Sequence, residues 1–333
     1  MSTTELTPRE SVAPDRRAGS ASRLIVISGP TGVGKSEIAL ALALRVGGEI
    51  INYDSVQLYR GFDIGSAKPD AAMRSRVPHH LFDVVAPSED LNAAAYASLA
   101  REVCRDIERR GRIPILVGGT GFYLRALTCG LPPMPGRSEG IRRRLRRIAG
   151  SERGRARLHN WLRRVDPVSA ARIASTDRHR IERALEVRLL TGMPISSWRV
   201  PSIREGLRLL QFAITMPRSK LLEALDRRTE LMYEAGLIEE TRRLLEQHPR
   251  SARPFGSIGY HEAVRLLDGE STLQEAIAET RRRTRAYAKR QMTWLRGEPS
   301  VHWIERGEEL EPPLEAIVVT LVRSGFIDDR STP

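Results

Sequence analysis

Apolar residues along the first third of the chain predict strands and helices in turn. The predicted elements between residues 23 and 130 are strands at 24–28, 49–52 and Ile113–Val117, and helices at Lys35–Val46 and 93–110. Gly111 ends the long second helix, as glycine commonly does at a helix C-terminus. A chain that alternates strands with helices in this way forms a parallel sheet covered by helices.

This alternation stops where proline and glycine accumulate between Gly130 and Gly136. A strongly basic helical stretch follows to about Leu190, and the apolar run Leu207–Thr215 predicts a strand that returns to the sheet. Further helices are predicted near residues 219–234, 237–248, Tyr260–Leu267 and 272–296. The second half of the chain is therefore mostly helical.

Positive charge is concentrated in two segments. The chain carries 54 Lys and Arg residues against 41 Asp and Glu, a formal net charge of +13. Residues 141–205 contain 17 arginines and six acidic residues, and residues 281–296 contain seven basic residues and no acid. Such arginines could simply cover solvated helices, but their segregation favours contact with nucleic acid, which attracts concentrated positive charge.

Composition is consistent with an intracellular folded protein. The 333 residues, 41% of them hydrophobic, suffice for one large or two modest cores. Cys104 and Cys129 are too few for a disulfide framework and have no metal-site spacing. No segment approaches the roughly 18 uninterrupted apolar residues of a membrane helix. We expect a cytoplasmic protein without membrane contacts, and a monomer by default.

A phosphate-binding loop lies between the first predicted strand and the first helix, where the pattern G-x-x-x-x-G-K-[ST] requires it. Backbone N–H groups of such a loop, with a helix N-terminus, cradle a polyphosphate. Its lysine would neutralise phosphate charge and its serine hydroxyl would reach Mg²⁺, whereas a glycine-rich turn without a ligand is the alternative. The loop consists of Gly29, Pro30, Thr31, Gly32, Val33, Gly34, Lys35 and Ser36.

These observations together predict the fold class and the domains. We expect an α/β protein with a P-loop parallel-sheet core, helices on both faces of the sheet, a helical basic insertion and C-terminal helices. The core would comprise residues 23–136 and 206–325, and the insertion residues 137–205. Residues 1–22, rich in Ser, Thr, Pro, Arg and Glu, are predicted to form a disordered tail rather than a signal peptide.

Asp54 follows the second predicted strand and should emerge beside the phosphate-binding loop, because ligands in open α/β sheets bind beyond the carboxyl ends of the strands. There a carboxylate can accept a proton from a nucleophile or bind metal, but it could equally cap a turn. The strand Ile113–Val117 runs into Gly118 without the acidic residue that helps many P-loop ATPases hold Mg²⁺. That absence favours a loop that binds a substrate's diphosphate leaving group over a hydrolytic ATPase.

Eight segments, in order along most of the chain, carry a family resemblance. They are GPTGVGKS at 29–36, YDSVQLY at 53–59, DIGSAKP at 63–69, PHHL at 78–81, VGGTGFY at 117–123, RIERALE at 180–186, SIGY at 257–260 and AKRQMTWL at 288–295. Together they resemble the tRNA dimethylallyltransferases, also called tRNA isopentenyltransferases, with no departure at the motif positions. The zinc-finger extension of eukaryotic members is absent, so the resemblance is to the bacterial type.

The resemblance implies a reaction and the residues that perform it. The family transfers a dimethylallyl group from dimethylallyl diphosphate to N6 of the adenosine immediately 3′ of the anticodon, releasing pyrophosphate. The loop would then bind the diphosphate, with Mg²⁺ on Ser36 and with Lys35 stabilising charge on the leaving group. Asp54 is by analogy the general base, and Thr120 would lie at the reaction centre.

The resemblance also implies where tRNA binds. The adenine must leave its stack to be modified, and Asp54, Thr120, Ser55, Val56 and Gln57 would line its path. The basic insertion and the loop at residues 256–261 would contact the anticodon stem-loop, in part through phosphate contacts that supply affinity. The implied positions are Arg142, His179, Arg180, Arg183, Gly259 and Tyr260.

Two other classes of protein remain as alternatives. A P-loop small-molecule kinase, or an isopentenyltransferase acting on free adenine nucleotides, would not need the basic insertion. A non-enzymatic nucleotide switch that binds RNA would not need Asp54.

Three further groups are interpreted conservatively. His79 and His80 are expected to have local structural roles. One stripe of the last predicted helix is expected to pack in the core, namely Tyr287, Gln291 and Trp294. A second stripe is expected to flank the RNA channel, namely Arg281, Arg285 and Lys289.

Overall fold

A six-stranded parallel sheet forms the centre of the protein, in a computed structural model that describes residues 22–198 and 207–328. Its strands are β1 (Ser22–Ser28), β2 (Gly48–Asn52), β3 (His79–His80), β4 (Ile113–Val117), β5 (Leu207–Thr215) and β6 (Val301–Glu305). They lie in the order β3-β2-β4-β1-β5-β6, and every pair of neighbours is parallel. The predicted α/β fold class is confirmed.

Helices connect and cover these strands. In the first part of the chain they are α1 (Lys35–Val46), α2 (Ala71–Arg76), α3 (Ala93–Arg109), α4 (Gly121–Cys129), α5 (Glu139–Ile148), α6 (Glu152–Val165), α7 (Pro167–Arg172) and α8 (Arg178–Thr191). In the second part they are α9 (Arg218–Glu234), α10 (Leu237–Gln247), α11 (Tyr260–Leu267), α12 (Leu273–Arg296) and α13 (Glu311–Arg323). Short 3₁₀ turns lie at Ile195–Ser197 and Arg253–Gly256.

The sheet is buried on both faces, as a parallel sheet covered by crossover helices must be. Successive residues of β1 show this, because side chains alternate across a strand. Leu24 and Val26 belong to the hydrophobic cluster beneath α3 and α4, whereas Ile25 and Ile27 pack with α1 and α13 on the opposite face. Because the central strands are packed on both faces, the loops that follow them start from fixed positions at one edge of the sheet.

That edge lies at the carboxyl ends of β1, β2 and β4, which are adjacent in the sheet. The phosphate-binding loop follows β1, Asp54 follows β2, and the glycine turn at 118–121 follows β4. Helix α12 packs against α4, α9 and α11 above the same edge. It begins with a capping box in which Thr272 and Glu275 satisfy each other's backbone N–H groups.

The basic helices α5–α8 share a hydrophobic cluster of their own, which includes Leu145, Leu158, Leu162 and Leu185. Their arginines lie mostly outside this cluster and are exposed. A separate cluster supports the division of the chain into a core and an inserted basic unit, which we retain as a proposal. Residues 199–205 of the predicted insertion lie outside the described residues.

The sequence pattern predicted the central strands and the longest helices, but it missed β3, β6, α2, α4 and α13. Strand β3 is two residues long, and β6 is an edge strand whose residues are half-buried or exposed. Ser22, predicted to belong to the tail, begins β1; the rest of that tail lies outside the described residues. Across residues 22–198 and 207–328, no helix combines the length and apolarity of a membrane span.

His79 and His80 pair with β2 and take local partners. The Nδ1 of His79 lies 2.8 Å from the carbonyl oxygen of Val77. The Nε2 of His80 lies 2.7 Å from Glu49, whose carboxylate also accepts two hydrogen bonds from Arg110. The predicted structural role of both histidines is confirmed.

Candidate active site at the phosphate-binding loop

The phosphate-binding loop links β1 to α1 and forms one wall of a cavity of about 260 Å³. Thr31, Gly32, Gly34, Lys35 and Ser36 line this cavity. Gly29 and Pro30 are buried where the chain leaves β1, and Val33 is buried beneath α1. All eight predicted residues therefore build a single loop at a helix N-terminus, the geometry that binds phosphate oxygens through backbone N–H groups.

Lys35 is half-buried, and its Nζ donates a hydrogen bond of 2.8 Å to the carbonyl oxygen of Pro30. Burial lowers the pKa of Lys35, the positive charge of Arg228 adds to that effect and the carboxylate of Asp54 opposes it, so that the pKa is about 7. Without an anion in the loop, Lys35 therefore loses its proton near neutral pH, and a bound anion would stabilise the protonated form.

Pyrophosphate affinity is therefore expected to depend on pH through Lys35. Because the pKa of Lys35 is lowered to about 7, the lysine is charged below that pH and neutral above it. We expect the association constant for pyrophosphate to fall as pH rises above 7, by up to about tenfold per pH unit. Lys35→Arg, which stays charged, should abolish this contribution. Calorimetric titrations of both proteins between pH 6 and 9 will measure the difference, and parallel profiles would contradict it.

Asp54 occupies a turn that its own neighbours hold in place. The side-chain oxygen of Asn52 accepts a 2.8 Å hydrogen bond from the N–H of Asp54, and Asp54 Oδ1 accepts one of 2.9 Å from the N–H of Val56. Asp54 therefore caps a turn and also lines the cavity beside the phosphate-binding loop. The two interpretations of this residue, as a turn residue and as a site residue, are compatible.

Thr120 connects the turn after β4 to the segment after Asp54. Its Oγ1 accepts a hydrogen bond of 3.1 Å from the N–H of Ser55 and lies 3.5 Å from the Ser55 hydroxyl. Gln57 uses its amide NH₂ to donate to the carbonyl oxygens of Ser66 and Ala67, at 3.0 and 3.1 Å. Because carbonyls only accept, these two bonds fix which way the Gln57 amide faces.

A second cavity of about 280 Å³ adjoins the first. Ser55 and Val56 line this second cavity, together with residues of α9 and α12 and of the loop at 256–258. The two cavities share four lining residues, so their common wall contains both the predicted base and part of the phosphate-binding loop. The shared residues are Thr31, Asp54, Ser66 and Arg228.

Arg228 is a site residue that the sequence pattern did not reveal. It projects from α9, and its Nη1 donates a 2.8 Å hydrogen bond to the hydroxyl of Thr31 in the phosphate-binding loop. Burial lowers the pKa of this guanidinium, whereas the carboxylate of Asp54 raises it. Two cations, Lys35 and Arg228, thus converge on one loop, an arrangement that attracts an anion.

Gln291 was expected to pack in the core, and it is buried, but it also joins two loops of the site. Its Oε1 accepts a 2.8 Å hydrogen bond from the N–H of Thr31, and its Nε2 donates one of 3.1 Å to the carbonyl oxygen of Gly119. A Cβ at Gly119 would lie 2.0 Å from that nitrogen, so any larger residue in the turn after β4 would displace the Gln291 amide. The only sequence signal was a polar residue on an otherwise packed helical stripe.

Tyr287 and Trp294 complete the stripe. Trp294 packs against the hydrophobic cluster and the backbone of Gly121, as predicted. Tyr287 instead lines the second cavity, and burial raises the pKa of its hydroxyl, followed by the negative charge of Asp54. Hydrogen bonds to Thr120 and Gln291 oppose that rise. Tyr287 is therefore a neutral, hydrogen-bonded phenol at the wall of the second cavity.

Comparison with known proteins identifies the family. The sequence model of the family described as IPP transferase matches residues 57–298. The chain belongs to the IPP transferase family. It is a transferase, and the resemblance seen in its motifs is confirmed.

Similar proteins match this IPP transferase over most of their length. The tRNA dimethylallyltransferase of Koribacter versatilis is 48% identical over 286 residues, which is 85% of this chain and 92% of that protein. That of Geobacter metallireducens is 46% identical over 300 residues, 89% of this chain and 97% of that protein.

Solved structures match it too. The tRNA isopentenylpyrophosphate transferase of Bacillus halodurans is 37% identical with a TM-score of 0.68, over 92% of this chain and 98% of that one. A eukaryotic dimethylallyltransferase solved acting on tRNA is 26% identical with a TM-score of 0.72, over 94% and 82%.

The predicted RNA-contact residues of this IPP transferase fall into two groups. His179 and Arg180 are exposed at the start of α8; the Arg180 side chain is 73% exposed, with Asp177 at 3.4 Å. Arg142 and Arg183 instead bind the buried carboxylate of Glu186, with hydrogen bonds of 2.7–2.9 Å. Although burial alone would raise it, these hydrogen bonds hold the pKa of Glu186 at about 2.

Arg183 also donates a 2.8 Å hydrogen bond to the carbonyl oxygen of Pro135, where the chain leaves α4 for the basic helices. The N–H of Ser138 donates to the same Glu186 carboxylate at 2.8 Å. The Glu186 cluster therefore fastens α8 to the segment that precedes α5. Contact of Arg142 and Arg183 with RNA remains a prediction.

Two arginines of α8 are expected to respond differently to replacement. Arg180→Ala should reduce the slope of log affinity for RNA against log salt concentration by about 0.7–0.9, the contribution of one phosphate contact. Arg183→Ala should in addition lower the free energy of unfolding by about 1–3 kcal/mol, because Glu186 loses a partner, whereas Arg180→Ala should leave that free energy nearly unchanged. Salt-dependent binding and denaturant unfolding measure both quantities. Equal slopes for Arg180→Ala and the unmodified protein would contradict the first expectation.

Two further predictions concerned Gly259 and Tyr260. Gly259 adopts a positive φ of 91° and precedes α11. The side chain of Tyr260 is fully buried, and its hydroxyl donates a hydrogen bond to Glu240. The neighbouring Gly256, Ser257 and Ile258 line the second cavity, which Tyr260 does not. Contact of Gly259 and Tyr260 with RNA remains a prediction.

Two of the three basic residues of the second α12 stripe form ion pairs. Arg281 forms an ion pair with Glu230, and Arg285 forms one with Asp226. Both acids belong to α9, so these pairs join the two helices. That this stripe flanks an RNA channel remains a prediction.

Proposed function

We propose that this chain transfers a dimethylallyl group from dimethylallyl diphosphate to N6 of the adenosine 3′-adjacent to a tRNA anticodon, releasing pyrophosphate. The tRNA-specific names of its relatives support this substrate. The concentration of arginines on α5–α8 supports it independently, because phosphate contacts supply affinity for a large nucleic acid. A kinase or a transferase acting on free nucleotides would not need these arginines.

The observation that carries the proposal is the common wall of the two cavities. One cavity contains the phosphate-binding loop, the other lies under α9 and α12, and Asp54 lines both. A diphosphate in the first cavity and an extruded adenine in the second would meet beside the Asp54 carboxylate. Group transfer between two bound substrates requires this proximity.

The donor side would be held through its leaving group. The backbone of residues 29–36 would receive the diphosphate, with Lys35 and Arg228 supplying positive charge from two directions. As the carbon–oxygen bond breaks, negative charge accumulates on the pyrophosphate. Cations already fixed at that position stabilise the transition state more than the ground state.

The acceptor side would need a base, because the exocyclic amine of adenine is a weak nucleophile. Asp54 would accept the proton that N6 loses as the new nitrogen–carbon bond forms. Thr120 and Ser55 lie within hydrogen-bonding distance of each other beside Asp54 and offer short polar groups to orient the amine or the diphosphate. Val56, which lines the second cavity, and Gln57, which lines the first, would border the path of the base.

The residues of the first cavity also fit Mg²⁺. Ser36, Asp54 and Glu37 line that cavity and carry side-chain oxygen atoms, although Glu37 is already paired with Arg306. Oxygen is the ligand type that Mg²⁺ prefers. With so few protein ligands, the metal would be shared between Ser36 and the diphosphate, as is usual for Mg²⁺. When bound it would supply further charge neutralisation on the leaving group.

The proposal is tested by incubating the protein with Mg²⁺, labelled dimethylallyl diphosphate and either tRNA or AMP. We expect label in tRNA, at the adenosine that follows the anticodon, and pyrophosphate in equal amount. Label in AMP would instead show a free-nucleotide transferase. Absence of label in both, with rapid hydrolysis of ATP, would show a different chemistry.

A further inference from the structure

Glu240 is a buried carboxylate whose partners lie on two other segments of the core. It projects from α10 and is 4% exposed. Its oxygens accept hydrogen bonds from the backbone N–H groups of Asp63 and Ile64 at 3.0–3.2 Å, and one of 2.5 Å from the hydroxyl of Tyr260. A carboxylate that accepts from backbone N–H groups fixes the backbone as well as its own side chain.

Tyr260 extends this connection to the next residue of the same loop. Its hydroxyl accepts a 3.1 Å hydrogen bond from the N–H of Gly65 while donating to Glu240. A Cβ at Gly65 would lie 2.5 Å from the Tyr260 ring, so only glycine permits this approach. Three consecutive N–H groups, those of residues 63–65, are thus held by α10 and α11.

Both of the joined segments form walls of the second cavity. Gly65 and Ser66 line it from one side, and Gly256, Ser257 and Ile258 line it from the other. Tyr260 stands two residues after Ile258, and Glu262 holds Gly259 by accepting a 2.7 Å hydrogen bond from its N–H. The carbonyl oxygen of Ser66 is one of the two that orient the Gln57 amide.

We propose that Glu240, through Tyr260, is a positioning residue that fixes the loop at 63–66 against the loop at 256–259 and so sets the shape of the cavity that receives the acceptor base. This inference rests on the proposed function for the identity of the acceptor. Neither side chain touches the substrate; each acts through the backbone it holds. The phosphate-binding loop lies outside this network, and Ser66 is the residue of the loop at 63–66 that lines both cavities. We therefore expect acceptor binding to depend on the network more strongly than donor binding does.

The test measures KM and kcat separately for each substrate in two variants. Tyr260→Phe keeps the ring, which packs against Phe62 at 4.7 Å between centroids, and removes only the bridging hydroxyl. We expect kcat/KM for an anticodon stem-loop RNA to fall about tenfold, while KM for dimethylallyl diphosphate changes less than about twofold. Glu240→Gln should have the larger effect, because an NH₂ in place of either carboxylate oxygen meets the backbone N–H of Ile64, which only donates.

Thr241→Val is the matched control. Thr241 is the next residue of α10, is fully buried, and donates a 2.7 Å hydrogen bond to Leu237 within its own helix. It should lower the melting temperature without changing the ratio of the two KM values. Melting curves of all three variants show that each is folded.

The possible results are distinguishable. If the unmodified protein transfers no label to RNA, the proposed function fails. If it does, the positioning role is overturned by either of two results. One is an unchanged kcat/KM for RNA in Tyr260→Phe, and the other is an equal fall in kcat/KM for RNA and for dimethylallyl diphosphate. A loss confined to RNA in folded Tyr260→Phe supports it.

Discussion

Replacement of Asp54 by asparagine is expected to lower kcat for prenyl transfer by about 10²–10⁴, the usual contribution of a positioned general base. Asparagine retains a side-chain oxygen that can accept the hydrogen bond from the N–H of Val56, so the turn should persist. What it loses is the capacity to take a proton from the amine. Because Asp54 lines both cavities, no other carboxylate is placed to substitute for it at their common wall within the described residues.

Binding measurements separate this effect from a loss of structure. The dissociation constants for RNA and pyrophosphate should change less than about threefold, since Asp54 is asked to act mainly in the transition state. Single-turnover rates at saturating concentrations of both substrates give the chemical step directly. A rate within about threefold of the unmodified protein would remove Asp54 as the base and leave it a turn residue.

Two parts of the site could be predicted from the sequence, because each lies in a short segment next to the end of a strand. The phosphate-binding loop could be predicted because one short segment contains the strand end, the glycines, the cation and the helix start. Asp54 could be predicted because parallel strands end at one edge, which places the residue after β2 beside the loop after β1. In the structure β4 lies between β2 and β1, so the segments that follow these three strands meet at one edge of the sheet.

Residues far along the chain could not be placed in this way. Arg228 and Gln291 lie 197 and 260 positions from Thr31, with which both form hydrogen bonds. A helical pattern shows that α9 and α12 have buried faces but not what those faces contact. Tyr260 shows the converse case, since a residue predicted from its motif to contact RNA is buried and donates a hydrogen bond to Glu240. Its motif position reflects a scaffold beneath the cavity wall.

Arg228→Met is expected to have the second large effect, and on two quantities at once. Methionine has similar length but no charge, so the first cavity loses one of the two cations that face the diphosphate. We expect kcat/KM for dimethylallyl diphosphate to fall by about 10²–10³, comparable with removal of one fixed donor from a developing anion. Arg227→Met, at an exposed position of the same helix, should change it less than about twofold.

The pH dependence of this variant supplies the more specific measurement. Burial lowers the pKa of Lys35, and the charge of Arg228 adds to that effect, so its removal should let the pKa rise above 7. In the unmodified protein, pyrophosphate affinity should decline above pH 7. In Arg228→Met, the affinity at low pH should be weaker, and its decline should begin at a higher pH. A mutation that merely loosened the loop would weaken binding at every pH and leave the midpoint in place. Titrations from pH 6 to 9 on both proteins distinguish these outcomes, and an unchanged midpoint would show that Arg228 and Lys35 do not share one anion.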